Sequence, residues 1–116
     1  MTSQDTTIVV SVGKDVNGVP MDPTDWDGFK QDAEDVLRFN GSRILFVGEG
    51  TGVWDGKYET AFTIVAALDD DGTQRVLDII GRYSVLAHQY GQEAIAVTFG
   101  ATIMATATPD YETFLI

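Results

Sequence analysis

Apolar and polar residues alternate in two or more stretches of this chain and recur at helical spacing in two others. Residues 7–13, Thr-Ile-Val-Val-Ser-Val-Gly, form a β-branched run closed by glycine and predict a first strand. Ser42 to Val47 predicts a second. In the third, Lys57 to Leu68, Tyr58, Thr60, Phe62 and Ile64 fall on one side and Glu59, Ala61, Thr63 and Val65 on the other, with the larger set expected to face helices. In the fourth, Glu93 to Met104, Ile95, Val97 and Phe99 alternate against Ala94, Ala96 and Thr98. Between strands one and two, Trp26, Phe29, Ala33, Val36 and Leu37 share a third of a helical circumference, with Asp22-Pro23 as the start signal and Asn40-Gly41 as the stop. Between strands three and four, Val76, Ile79, Ile80, Tyr83, Leu86, Ala87 and Tyr90 predict a second helix ended by Gly91. A weaker stripe of Leu77, Gly81, Ser84, Val85 and His88 beside it suits packing against the first helix or another subunit.

Turn signals separate these elements. Asn17-Gly18 marks a turn after strand one, and Asp69-Asp70-Asp71-Gly72-Thr73 reads as a turn and cap before the second helix. The three adjacent aspartates lack the alternating ligand spacing of a calcium loop. The glycine-dense stretch Gly48 to Gly56 reads as the turn of a hairpin joining strands two and three. The order β-α-β-β-α-β is that of an α+β, ferredoxin-like sandwich. It predicts a four-stranded antiparallel sheet of order 4-1-3-2 with both helices on one face. One domain is expected over 1–116, with a core over about 7–104 and an extra C-terminal segment, 105–116, that docks against another surface.

That topology has a consequence for function. The end of strand one, the hairpin and the start of strand four must meet at one end of the sheet, so segments 14–18, 48–56 and 91–93 converge there. The candidate binding residues are therefore Lys14, Glu49, Trp54, Asp55, Glu59, Gln92 and Glu93. The opposite sheet face, with Val9, Ser11, Ala61, Thr63, Val65, Ala96 and Thr98, is small and weakly apolar where a solvent face is usually charged. It predicts cover by the C-terminal segment or by a second copy in a homodimer.

Composition narrows the chemistry. Eighteen acids against seven bases give a net charge of −11, which disfavours direct contact with nucleic acid or an anionic membrane. The sequence has no cysteine, so disulfides, thiolate metal sites and cysteine nucleophiles are excluded. Gly48-x-Gly50-x-Gly52 is followed by a strand rather than a helix N-terminus, which removes a phosphate-binding reading. The single histidine, His88, sits off the main apolar helix face with no nucleophile signature beside it. Acids near the sheet end could form a carboxylate pair for acid–base work, but acids are common throughout, and no catalytic residue, metal site or cofactor is assigned.

Trp26-x-x-Phe29, Gly50-x-Gly52-x-Trp54, Glu59, Tyr83 and Tyr90-Gly91-Gln92-Glu93-Ala94-Ile95-Ala96-Val97 resemble, in the same order, a group of small bacterial βαββαβ domains of unknown function, many exported or lipid-anchored. The resemblance spans roughly residues 8 to 100. It implies the same fold, singles out Trp54, Glu59, Gln92 and Glu93, and brings no activity. The chain differs in showing no export signal, and in style of composition it is similar to short cytosolic proteins of actinobacteria and their phages. The expectation is a cytoplasmic, acidic, non-enzymatic interaction or accessory module, a homodimer with a protein partner. The alternatives are a ligand-binding protein or enzyme using the sheet end, and an acidic inhibitor that mimics DNA.

Overall fold

The computed structural model describes residues 6–68 and 73–101. The elements are β1 (Thr6–Gly13), β2 (Asp15–Val16), β3 (Val19–Pro20), α1 (Pro23–Phe39), β4 (Arg43–Trp54), β5 (Lys57–Leu68), α2 (Thr73–Gln89) and β6 (Ala96–Ala101). Four of the strands form one antiparallel sheet in the order β4-β5-β1-β6. If the four long strands alone are numbered along the chain, this reads 4-1-3-2 from the β6 edge. An α+β chain with two helices over such a sheet is compatible with a ferredoxin-like sandwich.

The helices form where the apolar spacing places them, and their ends are chemically marked. The Asp22 carboxylate accepts from the Asp25 amide at 2.8 Å, with Pro23 supplying the first helical position. Beyond the C-cap at Asn40, Gly41 adopts a φ of +77° that a side chain would oppose. Trp26, Phe29, Ala33 and Leu37 of α1 and Val76, Ile79, Tyr83 and Leu86 of α2 are buried against Ile8, Val10, Val12, Phe62, Ile64, Ala66 and Leu68 of the sheet. The Tyr83 hydroxyl donates to the Ala33 carbonyl at 2.6 Å and ties α2 to α1 inside the core. Burial pushes its pKa well up. At the rim, Tyr90 stacks on Phe29 with centroids 4.6 Å apart and donates to Asp32 at 2.7 Å. That hydrogen bond and desolvation push the Tyr90 phenol up to about 12.

Four features differ from the sequence expectation. Strand β4 does not stop at Val47 but runs through Gly48, Gly50 and Gly52 to Trp54, because β5 is long enough to pair with all of it. The turn is Asp55-Gly56 alone, both at positive φ, as a two-residue hairpin of the mirror-image type requires. Residues 15–20, expected as a loop, carry the short ribbon β2–β3 around Asn17 and Gly18, which are also at positive φ. Ile80 and Tyr58 are exposed rather than packed: Ile80 lies at the edge of the α2 apolar arc, and Tyr58 sits near the start of β5, where Lys57 and Thr60 are exposed too. Strand β6 begins at Ala96, not Glu93. Residues 69–72, part of the expected turn before α2, and the C-terminal segment 105–116 lie outside the described residues, as do 102–104 at the end of the fourth strand. Among the described residues no helix is long and apolar enough to cross a membrane.

Candidate functional site

Strand alternation decides which side chains reach the sheet end and from which side. Across the antiparallel register Gly48 pairs with Thr63, Gly50 with Ala61, Gly52 with Glu59 and Trp54 with Lys57, while Ser11 and Gly13 of β1 oppose Thr63 and Ala61. Directly opposed residues share a face, so these side chains all belong to the sheet face away from the helices. Beside this glycine-lined strip lies a cavity of about 470 Å³. Its walls are the hairpin end (Gly52, Trp54, Asp55, Lys57, Tyr58), Glu59 and Ala61 of β5, Asp15, Asn17 and Gly18 of the small ribbon, and Gly91 to Ala94 leading into β6.

The key side chain in it is Glu59. A Cβ on Gly13 would stand 2.4 Å from Glu59 Oε1, so the carboxylate occupies the space that glycine leaves. Its Oε2 accepts from the Asp15 backbone amide at 3.0 Å, which fixes the orientation. Gln92 also holds the corner: its side-chain amide donates to the Asp15 carbonyl at 3.0 Å. Gly91, at φ +69°, brings its backbone against Val16, where a Cβ would meet Val16 Cγ1 at 3.2 Å. The ribbon β2–β3 is thereby clamped between β5 and the segment before β6. Trp54 stays 54% exposed on this face, so its ring is open to a ligand, whereas alternation sends the Tyr58 side chain to the other face with Val53, where it is 78% exposed. Asp15, Asp55, Glu59 and Glu93 set four carboxylates around the cavity against the single ammonium of Lys57. The arrangement suits a flat or cationic group. Among the described residues no set of three metal-ligating side chains is present.

Of the seven residues picked from the sequence, Trp54, Asp55, Glu59, Gln92 and Glu93 come together on this cavity. Lys14 and Glu49 do not. Alternation sends Glu49 to the helix side of β4, where its Oε1 accepts from Trp26 Nε1 at 2.8 Å and Lys30 Nζ at 2.6 Å. The Lys30 and Trp26 hydrogen bonds, in that order, hold the Glu49 carboxyl below the usual carboxylate range, with the Lys14 charge adding a smaller pull in the same direction. Lys30 is held above its ordinary value chiefly by the same bond. The sequence reading did not single out Lys57 or Tyr58, and from segment 14–18, which it placed at this sheet end, it singled out Lys14 rather than Asp15, Asn17 and Gly18. The Asn17-Gly18 turn dipeptide was visible, but nothing in it showed that the loop would fold back onto β5.

No family model matches the chain, and no curated protein matches it in sequence. Solved structures do share its fold. A phage SAM lyase in its apo state superposes with a TM-score of 0.58 at 13% identity, covering 84% of this chain and 81% of that one. A phage SAM lyase in complex with S-methyl-5′-thioadenosine gives 0.51 at 15% identity, covering 86% and 90%. A protein of unknown function from Galdieria sulphuraria gives 0.50 at 12% identity; 86% of this chain is covered, but only 50% of that one, so the chain spans half its length. At such identities the likeness is one of fold.

Two outcomes follow from the site. Gly13→Ala forces the Glu59 carboxylate off the Asp15 amide. The loss should be about 1 kcal/mol in chemical denaturation, should move the Asp15 amide resonance, and should vanish in a Glu59→Ala background. Glu49 is the depressed-carboxyl case, so its pair stabilises the fold above the unfolded carboxyl pKa and stops doing so as pH falls through the lower folded value. Glu49→Gln should therefore lower Tm at neutral pH and match the unaltered chain once pH is below that range.

Proposed function

We propose that the chain is a small-molecule-binding domain whose ligand is a cationic adenosine derivative of the S-adenosylmethionine type, held in the sheet-end cleft. The observation that carries this reading is the cleft itself: the exposed ring of Trp54 beside a fixed Glu59 and three further carboxylates. A purine can stack on Trp54, a sulfonium or ammonium is drawn to its aromatic face and to the carboxylates, and Lys57 can meet a ligand carboxylate. A volume of about 470 Å³ is within the range of sites for ligands of nucleoside size. The phage SAM lyases lend chemical direction, because their fold is the same and one holds S-methyl-5′-thioadenosine. Conversion of S-adenosylmethionine to that thioether breaks the bond between the sulfur and the amino-acid side chain, so an enzymatic form of this reading is cleavage of that bond, the electron pair leaving on sulfur while the ligand's own carboxylate closes onto the freed carbon as a lactone.

A second reading, the homodimeric, non-enzymatic module, keeps one specific support. Phe46, 58% exposed, continues the open sheet face away from the cleft, next to Val65 and Val9 in register. Burial of that face against a second copy would remove it from water. In this reading the chain is a cytoplasmic accessory protein of phage type.

Calorimetry with S-adenosylmethionine and with S-methyl-5′-thioadenosine separates the two. The charged compound should bind more tightly than the neutral thioether. Trp54→Ala should weaken both by about tenfold or more, and Glu59→Gln should reduce the preference for the charged one. Release of S-methyl-5′-thioadenosine, followed by chromatography, reports turnover. Failure of either compound to bind at millimolar concentration sinks the ligand reading. The dimer reading expects a sedimentation mass near twice 12.6 kDa that falls to the monomer on Phe46→Lys.

A further inference from the structure

The helix layer carries a second concave surface, distinct from the cleft and on the opposite side of the molecule. Between the C-terminal half of α1 and the middle of α2 runs an open groove of about 570 Å³. Leu77, Gly81 and Val85 recur every four residues along its α2 wall, and Phe39 stands at its α1 end. Leu77, Val85 and Phe39 are 63%, 59% and 83% exposed, an apolar set left uncovered among the described residues. Gly81 is the notch between them: nothing lies within 4 Å of where its Cβ would be. An i, i+4, i+8 ridge with a gap at its centre is the surface into which a third helix packs.

The rim selects the occupant. Asp32, Asp35 and Asp78 line the groove against one cation, Arg82, which is already paired with Asp78 at 2.9 Å. Asp32 and Asp35 accept from neutral donors, the Tyr90 hydroxyl and the Gln31 amide. A second copy packed groove to groove would set these carboxylates against their own equivalents. Residues 102–116 would fare no better, because their charged side chains are Asp110 and Glu112, with no lysine or arginine. An anionic lipid surface is repelled for the same reason. We propose that this groove docks a basic amphipathic helix of a partner protein, its apolar stripe over Gly81 and its Lys or Arg side chains against Asp32 and Asp35.

The test uses the full chain and a fluorescent synthetic helix of about five turns, with leucines on one face flanked by lysines, read by anisotropy and by amide shifts. The lysine helix should bind and shift resonances of α1 and α2, and the same helix with glutamates for lysines should not bind. Gly81→Phe fills the notch and raises helix propensity, so the fold is kept while affinity falls about tenfold or more. Asp35→Asn should weaken binding several-fold, whereas Asp27→Asn, an equal change of charge near the start of α1, should not. The proposal is overturned if the lysine helix does not bind, if both asparagine variants weaken it equally, or if Gly81→Phe leaves it unchanged. It is likewise overturned if Gly81→Phe dissolves a dimer, or if Phe114→Glu tightens peptide binding, which would assign the groove to a second copy or to residues 102–116.

Discussion

Strand β5 is paired on both sides over most of its length, and its two-residue period fixes the face of every side chain on the three strands it governs. It meets β1 from Thr6↔Leu68 to Gly13↔Ala61 and β4 from Arg43↔Ala67 to Trp54↔Lys57. A slip of one residue would turn Phe62, Ile64 and Ala66 out of the core and bring Glu59, Thr63 and Val65 into it. The single irregularity, a bulge between Ile44 and Phe46, lies near the start of β4, away from the hairpin. The hairpin end is thus regular, and the positions that flank the cleft are set by a ladder rather than by a loop.

The same alternation explains why two acids ten residues apart end in different surroundings. Glu59 and the glycines Gly48, Gly50 and Gly52 share the open face, while Glu49 joins the helix side between Trp26 and Lys30. Glu49 fastens the hairpin arm to α1 at a mostly exposed position, where ion pairs contribute little beyond local order. Glu59 has room only because Gly13 lacks a side chain, and one backbone amide orients it. The first is a brace and the second a preset group facing open space, a distinction that neither charge nor sequence neighbours reveal.

Much of the scaffold is legible in the sequence because its signals are periodic and long. Both helices and strands β1 and β5 follow from spacing, and the ends of α1 from the residue types at Asp22-Pro23 and Asn40-Gly41. The glycine-rich arm misleads because glycine in a strand and glycine in a turn look alike in composition. Only the length of β5 shows that Gly48 to Gly52 are paired and that Asp55-Gly56 makes the turn. Convergence of the three segments at one sheet end is readable from topology. The assignment of Lys14 and Glu49 to that site fails because it rested on nearness to the end without asking which face each residue occupies. That segment 14–18 reaches this end follows from topology, but how it is held there does not, since that depends on the long-range Gln92 and Glu59 bonds to the Asp15 backbone.

A net charge of −11 is often taken as mere solubility, but its distribution over two concave surfaces carries more information. In the sheet-end cleft the acids stand beside the exposed Trp54 ring and a single lysine, a combination scaled to one compact cation with a flat substituent. In the helix groove the acids border an apolar ridge interrupted by Gly81, a pattern with the repeat of a helix rather than the dimensions of a nucleoside. A uniformly acidic shell would favour any cation at either place. The aromatic ring in one concavity and the periodic apolar ridge in the other turn a shared attraction into two different selectivities. The chain's charge therefore sets the sign of what it attracts, and the backbone sets its shape.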